Sequence, residues 1–103
     1  MISSTFKPRG DTIGIPWYCR ETYAEVKAAM RDAEAMPGSY DEWLDQAQRA
    51  ERQILREGRM VARVFLTVPN LSTYCLSRGL PLASEGRVRF ATEVANGQLG
   101  PLA

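Results

Sequence analysis

The sequence predicts an α+β fold, about four helices packed around a short sheet, and three observations carry that expectation. Residues 60–68 form one β-branched and aromatic run without a breaker. Residues 22–36 and 39–57 carry apolar side chains at helical spacing behind capping signals, with Pro37-Gly38 as the turn between them. After the run come two further helical patterns, each closed by a glycine. A chain of 103 residues supports one domain with one modest core. Residues 12–97 are assigned to it, with 1–11 as an N-terminal arm and 98–103 as a tail, because neither end has a hydrophobic period.

The stretch from Thr12 to Tyr18 is apolar and β-branched enough for a strand, and Pro16 confines that strand to a sheet edge. Phe6 in the arm is a candidate anchor. Thr22 and Glu25 have capping-box spacing ahead of Tyr23, Val26, Met30 and Ala33, and Pro37 ends the helix they predict. Ser39 and Glu42 repeat that spacing, and Asp41 adds an acid opposite the positive end of the helix dipole. The stripe of this second helix is Trp43, Ala47, Ala50 and Ile54, widened by Leu44 and Leu55, with Gly58 as the left-handed stop.

In the run, period two sets Ala62, Val64, Leu66 and Val68 on a core face and Val61, Arg63, Phe65 and Thr67 on the other. Phe65 beside Arg63 calls for cover by the arm or by another subunit. Pro69 is expected to stop the strand, and Asn70 to cap a short helix bearing Leu71, Tyr74 and Cys75 and ending at Gly79. Ser84 is expected to cap a last helix, with Val88, Ala91 and Ala95 on one face, Phe90 and Val94 beside them, and Asn96-Gly97 as its close. A lone strand cannot satisfy its backbone edges, so the run must pair with residues 12–18 or with its symmetry mate in a homodimer. With the helices on one face of the sheet, the face bearing Phe65 becomes the contact surface.

The absence of histidine excludes Ser-His-Asp triads, histidine acid/base pairs and imidazole metal sites. Thirteen basic against twelve acidic residues give no argument from overall charge for nucleic acid or an anionic membrane as partner. No signal-peptide run or membrane span is legible, and two widely spaced cysteines do not make a disulfide scaffold, although their number allows a single bridge; a cytoplasmic protein with reduced thiols is expected. Cys19, though next to Arg20, lacks an activating base and reads as structural, and Cys75 reads as packing. Asp41, Glu42 and Asp45 are explained by dipole compensation and solvation, so neither metal nor cofactor is expected.

Charge is nonetheless uneven: residues 21–45 hold seven acids against two bases, whereas 46–63 hold five arginines against two acids. Arg49, Arg52, Arg56 and Arg59 recur at spacings of three, four and three, a one-sided row able to meet phosphates or the carboxylates of a partner subunit. Trp17, Tyr18 and Arg20 form an aromatic and cationic cluster suited to a ligand or partner, to which Arg63 and Phe65 of the strand are added. An enzyme or anion-binding reading requires Trp17, Arg20, Arg63 and a carboxylate to converge in one pocket. The leading expectation is a non-enzymatic protein acting through protein contacts, as a homodimer. The alternative is a nucleic-acid-associated accessory protein using Arg49 to Arg63.

Ile15-Pro16-Trp17-Tyr18, the helix start Ser39-Tyr40-Asp41-Glu42-Trp43, Arg63-Val64, and Tyr74-Cys75 followed by Gly79-Leu80 together resemble a family of small uncharacterised bacterial proteins. The resemblance spans roughly residues 15–95 and implies one intact small domain. It implies no reaction, cofactor or partner.

Overall fold

The computed structural model describes residues 12–98. In chain order they form β1 (Ile13–Trp17), α1 (Tyr23–Ala29), a single 3-10 turn (Ala33–Ala35), α2 (Tyr40–Arg56), β2 (Val61–Phe65), α3 (Val68–Arg78) and α4 (Ser84–Ala95). Four helices thus pack around a two-strand parallel sheet. The expected arm with its Phe6, and the tail after Gln98, lie outside the described residues.

The strand expected at residues 12–18 exists and is the partner of the stronger one, in a register from Ile13 opposite Val61 to Trp17 opposite Phe65. Parallel strands need a long crossover, which α1 and α2 supply. Ile13 N–H donates to Met60 O and Leu66 N–H to Trp17 O, both at 2.9 Å. Ile13, Ile15 and Trp17 therefore turn their backbone groups inward, and Thr12, Gly14 and Pro16 turn theirs to the outer edge. Proline sits where its missing N–H costs the ladder nothing.

The helices do not lie on one face, contrary to expectation. A Cβ on Gly14 would run into the carbonyl of Ala91 and come within 3.0 Å of Ala95 Cβ, so this side of β1 is pressed against α4. On the opposite side Trp17 meets Trp43 of α2, ring centroids 5.1 Å apart. Val61, Arg63 and Phe65 share that α2 side by strand alternation. Trp43 is also the hub of an aromatic cluster with Tyr18, Tyr23 and Tyr40 at 5.0–5.9 Å. Val26, Leu66, Leu71, Phe90 and Ala91 complete the most deeply buried core.

Ser39 caps α2 as its spacing predicts, accepting from Glu42 N–H at 3.1 Å, and Gly58 takes the left-handed conformation (φ 78°) after the helix. The apolar stripe, however, enters the core only at Trp43 and Ala47; Ile54 is half-buried, and Ala50 and Leu55 are exposed. The reason is length. Seventeen helical residues span about 25 Å, whereas a five-residue strand spans about 16 Å, so the last turns of α2 overhang the sheet.

Three helix starts and one helix end differ from expectation. Thr22 makes no side-chain cap. The first helix ends at Ala29, not near residue 36, because Met30 turns extended and Arg31 N–H donates to Leu82 O at 2.8 Å instead of continuing the helix. β2 ends at Phe65, since Thr67 is the true cap of α3: Asn70 N–H donates to Thr67 Oγ1 (3.2 Å) and Thr67 N–H to Asn70 Oδ1 (2.9 Å). Pro69 falls in the first helical turn, where an N–H has no partner to lose. Gly79 closes α3 in the left-handed region, as expected. Ala83, not Ser84, occupies the cap position of α4, with no side-chain bond.

Asp32 anchors that end of α4 from outside, accepting from both terminal nitrogens of Arg87 at 2.8 and 3.1 Å. The Arg87 hydrogen bonds hold the Asp32 carboxyl below its ordinary range, and the backbone amide of Ser84 contributes in the same direction. A carboxyl whose pKa is depressed on folding stabilises above its unfolded pKa, and that contribution disappears as pH falls through the folded value. Asp32→Asn should therefore cost about 2 kcal/mol at neutral pH. The variant and parent should converge below the usual carboxylate range, which urea midpoints measured across acid pH will show.

Candidate functional site

The outer edge of β2 is where backbone chemistry is left unfinished. Ala62, Val64 and Leu66 turn inward to β1, so the N–H and C=O groups of Val61, Arg63 and Phe65 point outward. Among the described residues the one group that reaches this row is the Asn70 amide, which donates to Phe65 O at 3.2 Å. The corresponding edge of β1 is blunted. Asn96 accepts from Thr12 N–H and donates to Thr12 O, both at 2.9 Å, as a neighbouring strand would, and Pro16 offers no donor.

Side chains around the β2 edge are ordered. The Arg63 guanidinium donates through Nε and Nη2 to the two carboxylate oxygens of Glu51 at 2.8 and 2.9 Å, while its Cζ lies 4.1 Å from the Trp17 ring centroid. This planar fork gripping a carboxylate over an indole is a favourable arginine geometry. Its hydrogen bonds hold the Glu51 carboxyl below its ordinary range. Beside it Phe65 is 53% exposed, and Met60 (59%) precedes the other end of the strand; Leu55, in the last turn of α2, is likewise exposed.

The residues singled out in the sequence separate into distinct roles. Trp17 and Tyr18 are buried core, and burial pushes the Tyr18 hydroxyl up to about 12. Arg20 does not join Trp17: it bonds Asp41 at 2.9 Å and lies over Tyr40. The cavity that Arg20 lines, about 310 Å³ between α1 and the start of α2, contains neither Trp17 nor Arg63 in its walls. Arg63, Trp17 and the Glu51 carboxylate do meet, but Arg20 stands apart, so the four-group convergence that an enzyme or anion site required is incomplete. The arginine row is likewise divided, with Arg49 paired to Asp45 (2.9 Å) and Arg56 bonded to Gln53. Sequence reasoning missed Glu51, which counts there only as one of the two acids among the arginines of residues 46–63; twelve residues from Arg63, it carries no helical spacing to announce the contact.

Cys19 is exposed and Cys75 buried, both as free thiols, and burial pushes the Cys75 thiol up. Among the described residues no group of three potential ligands is placed to hold a metal ion, and no helix is long and apolar enough to cross a membrane. Compared with models of known protein families, with curated proteins and with solved structures, the chain matches none.

Proposed function

We propose that this protein works through protein contact, adding a strand from a second copy of the chain to the outer edge of β2. The observation that carries the reading is the outward row of backbone donors and acceptors at Val61, Arg63 and Phe65, set among exposed apolar side chains while the β1 edge is blocked. Strand addition uses such an edge for affinity and the adjacent side chains for specificity. The bound state of Arg63, and the division of the arginine row, favour this reading over one built on phosphate contacts. Light scattering coupled to size exclusion at about 100 µM should give twice the 11.5 kDa of one chain. A single-chain mass at that concentration overturns the proposal.

A further inference from the structure

Resting on that reading, we infer that the two copies pair antiparallel about a two-fold axis at Arg63, giving a continuous four-strand sheet in which Phe65 of each copy covers the β2 start of the other. The argument begins with symmetry. In a parallel ladder each residue bonds to the residues before and after its partner, a stagger that breaks two-fold equivalence, whereas an antiparallel pair exchanges both bonds between the same two residues.

The register follows from which groups point outward. Only Val61, Arg63 and Phe65 present their backbone groups to this edge, so a bonded pair must join two of these positions. Centring the axis on Arg63 engages all three: Arg63 with its counterpart, Val61 with Phe65, and Phe65 with Val61. Centring it on Ala62 or Val64 leaves one of them out. At this register each Phe65 ring lies on the α2 side of the sheet beside the partner copy's Val61, with exposed Met60 next along the chain. Apolar groups stranded at opposite ends of one strand thereby become neighbours, which a second copy supplies and an arbitrary polar partner does not.

The axis sets two arginines opposite each other, an arrangement that is ordinarily repulsive. Here each guanidinium is already held by both oxygens of Glu51 and folded back over Trp17, so the charge facing the axis is compensated before the copies meet. Asn70 occupies one acceptor position of Phe65 O, and that oxygen retains a second lone pair for the Val61 N–H of the other copy.

A mixed sample of isotope-labelled and unlabelled chains, read by isotope-filtered NMR, tests the geometry. Contacts between the Phe65 ring and the Val61 methyls should appear between copies. Phe65→Asp should weaken the dimer about thirtyfold or more, whereas Leu76→Asp, at an 84% exposed position on α3, should leave its dissociation constant unchanged. Because Phe65 is half-exposed in the single chain, its variant is expected to keep the parent's denaturation midpoint when both are diluted to monomers, where pairing adds nothing to stability; a midpoint lowered under those conditions overturns the assignment. A monomer by light scattering removes the contact reading itself. A dimer that lacks the Phe65 to Val61 contacts, or that Leu76→Asp disperses while Phe65→Asp does not, overturns the antiparallel geometry alone.

Discussion

Gly14→Ala is expected to destabilise the fold by about 3 kcal/mol, the upper part of the range for forcing extra volume into a packed core. The added methyl would collide with the carbonyl oxygen of Ala91 and stand 2.6 Å from its carbonyl carbon, both of them backbone atoms that cannot swing aside. Relief requires α4 to move away from β1, loosening Phe90 and Ala91, which are 1% and 0% exposed. The entropy that alanine removes from the unfolded chain, about 0.4–1 kcal/mol, is too small to offset this. Gly58 is the control. Its φ is 78° with open space around it, so Gly58→Ala should cost only about 1 kcal/mol, from backbone strain alone. Urea midpoints of the two variants should differ in that order; equal midpoints would show that α4 does not press on β1 as described.

Trp43→Ala is expected to cost about 4 kcal/mol, from lost burial and the cavity left behind. For a domain of this size that lowers the melting temperature by roughly 20 °C. Four aromatic rings lie within 6 Å of Trp43, among them Trp17, whose ring also carries the Arg63 guanidinium. The effect should therefore extend beyond stability. As Trp17 loses its edge contact, the Arg63 to Glu51 pair loses the surface on which it is laid out. Near-ultraviolet circular dichroism should report collapse of the aromatic signal, and the dimer should weaken even where the variant remains folded. Trp43→Phe, which keeps a ring at the hub, should recover most of both.

The helices and strands were legible where a local signal decides the conformation. Ser39 with Glu42 caps α2, and Gly79 ends α3, because cap chemistry acts within a few residues of itself. Thr67 was legible in principle: Thr67 and Asn70 have cap spacing, and Pro69 between them suits a first helical turn. Reading Thr67 as part of a β-branched run that continues to Val68 hides that signal and carries the expected strand three residues past its observed end at Phe65. Thr22 failed in the opposite sense, with cap spacing present and no cap bond formed. The early end of α1 depends on Leu82, fifty-one positions away from Arg31, and no local pattern contains it.

The same division applies to the site. Arg63 and Phe65 were identifiable as side chains on a strand face that is not pure core. Their surroundings were not. The parallel sense of pairing decides which backbone groups point outward, and it follows from the crossover that carries the chain through α1 and α2 before β2 begins. Glu51 becomes the partner of Arg63 only once α2 has crossed the sheet. Asn96, expected as a helix stop, also seals the β1 edge, a role assigned by contact with Thr12 from 84 residues away.

Amide hydrogen exchange along β2, followed through a dilution series, tests the open edge most directly. The account predicts that Ala62 and Val64, bonded to β1, stay protected at every concentration. Val61, Arg63 and Phe65 should be protected in concentrated samples and lose that protection together on dilution. If those three amides exchange rapidly at all concentrations, or remain protected in a dilute monomer, the edge is not where copies of this protein meet.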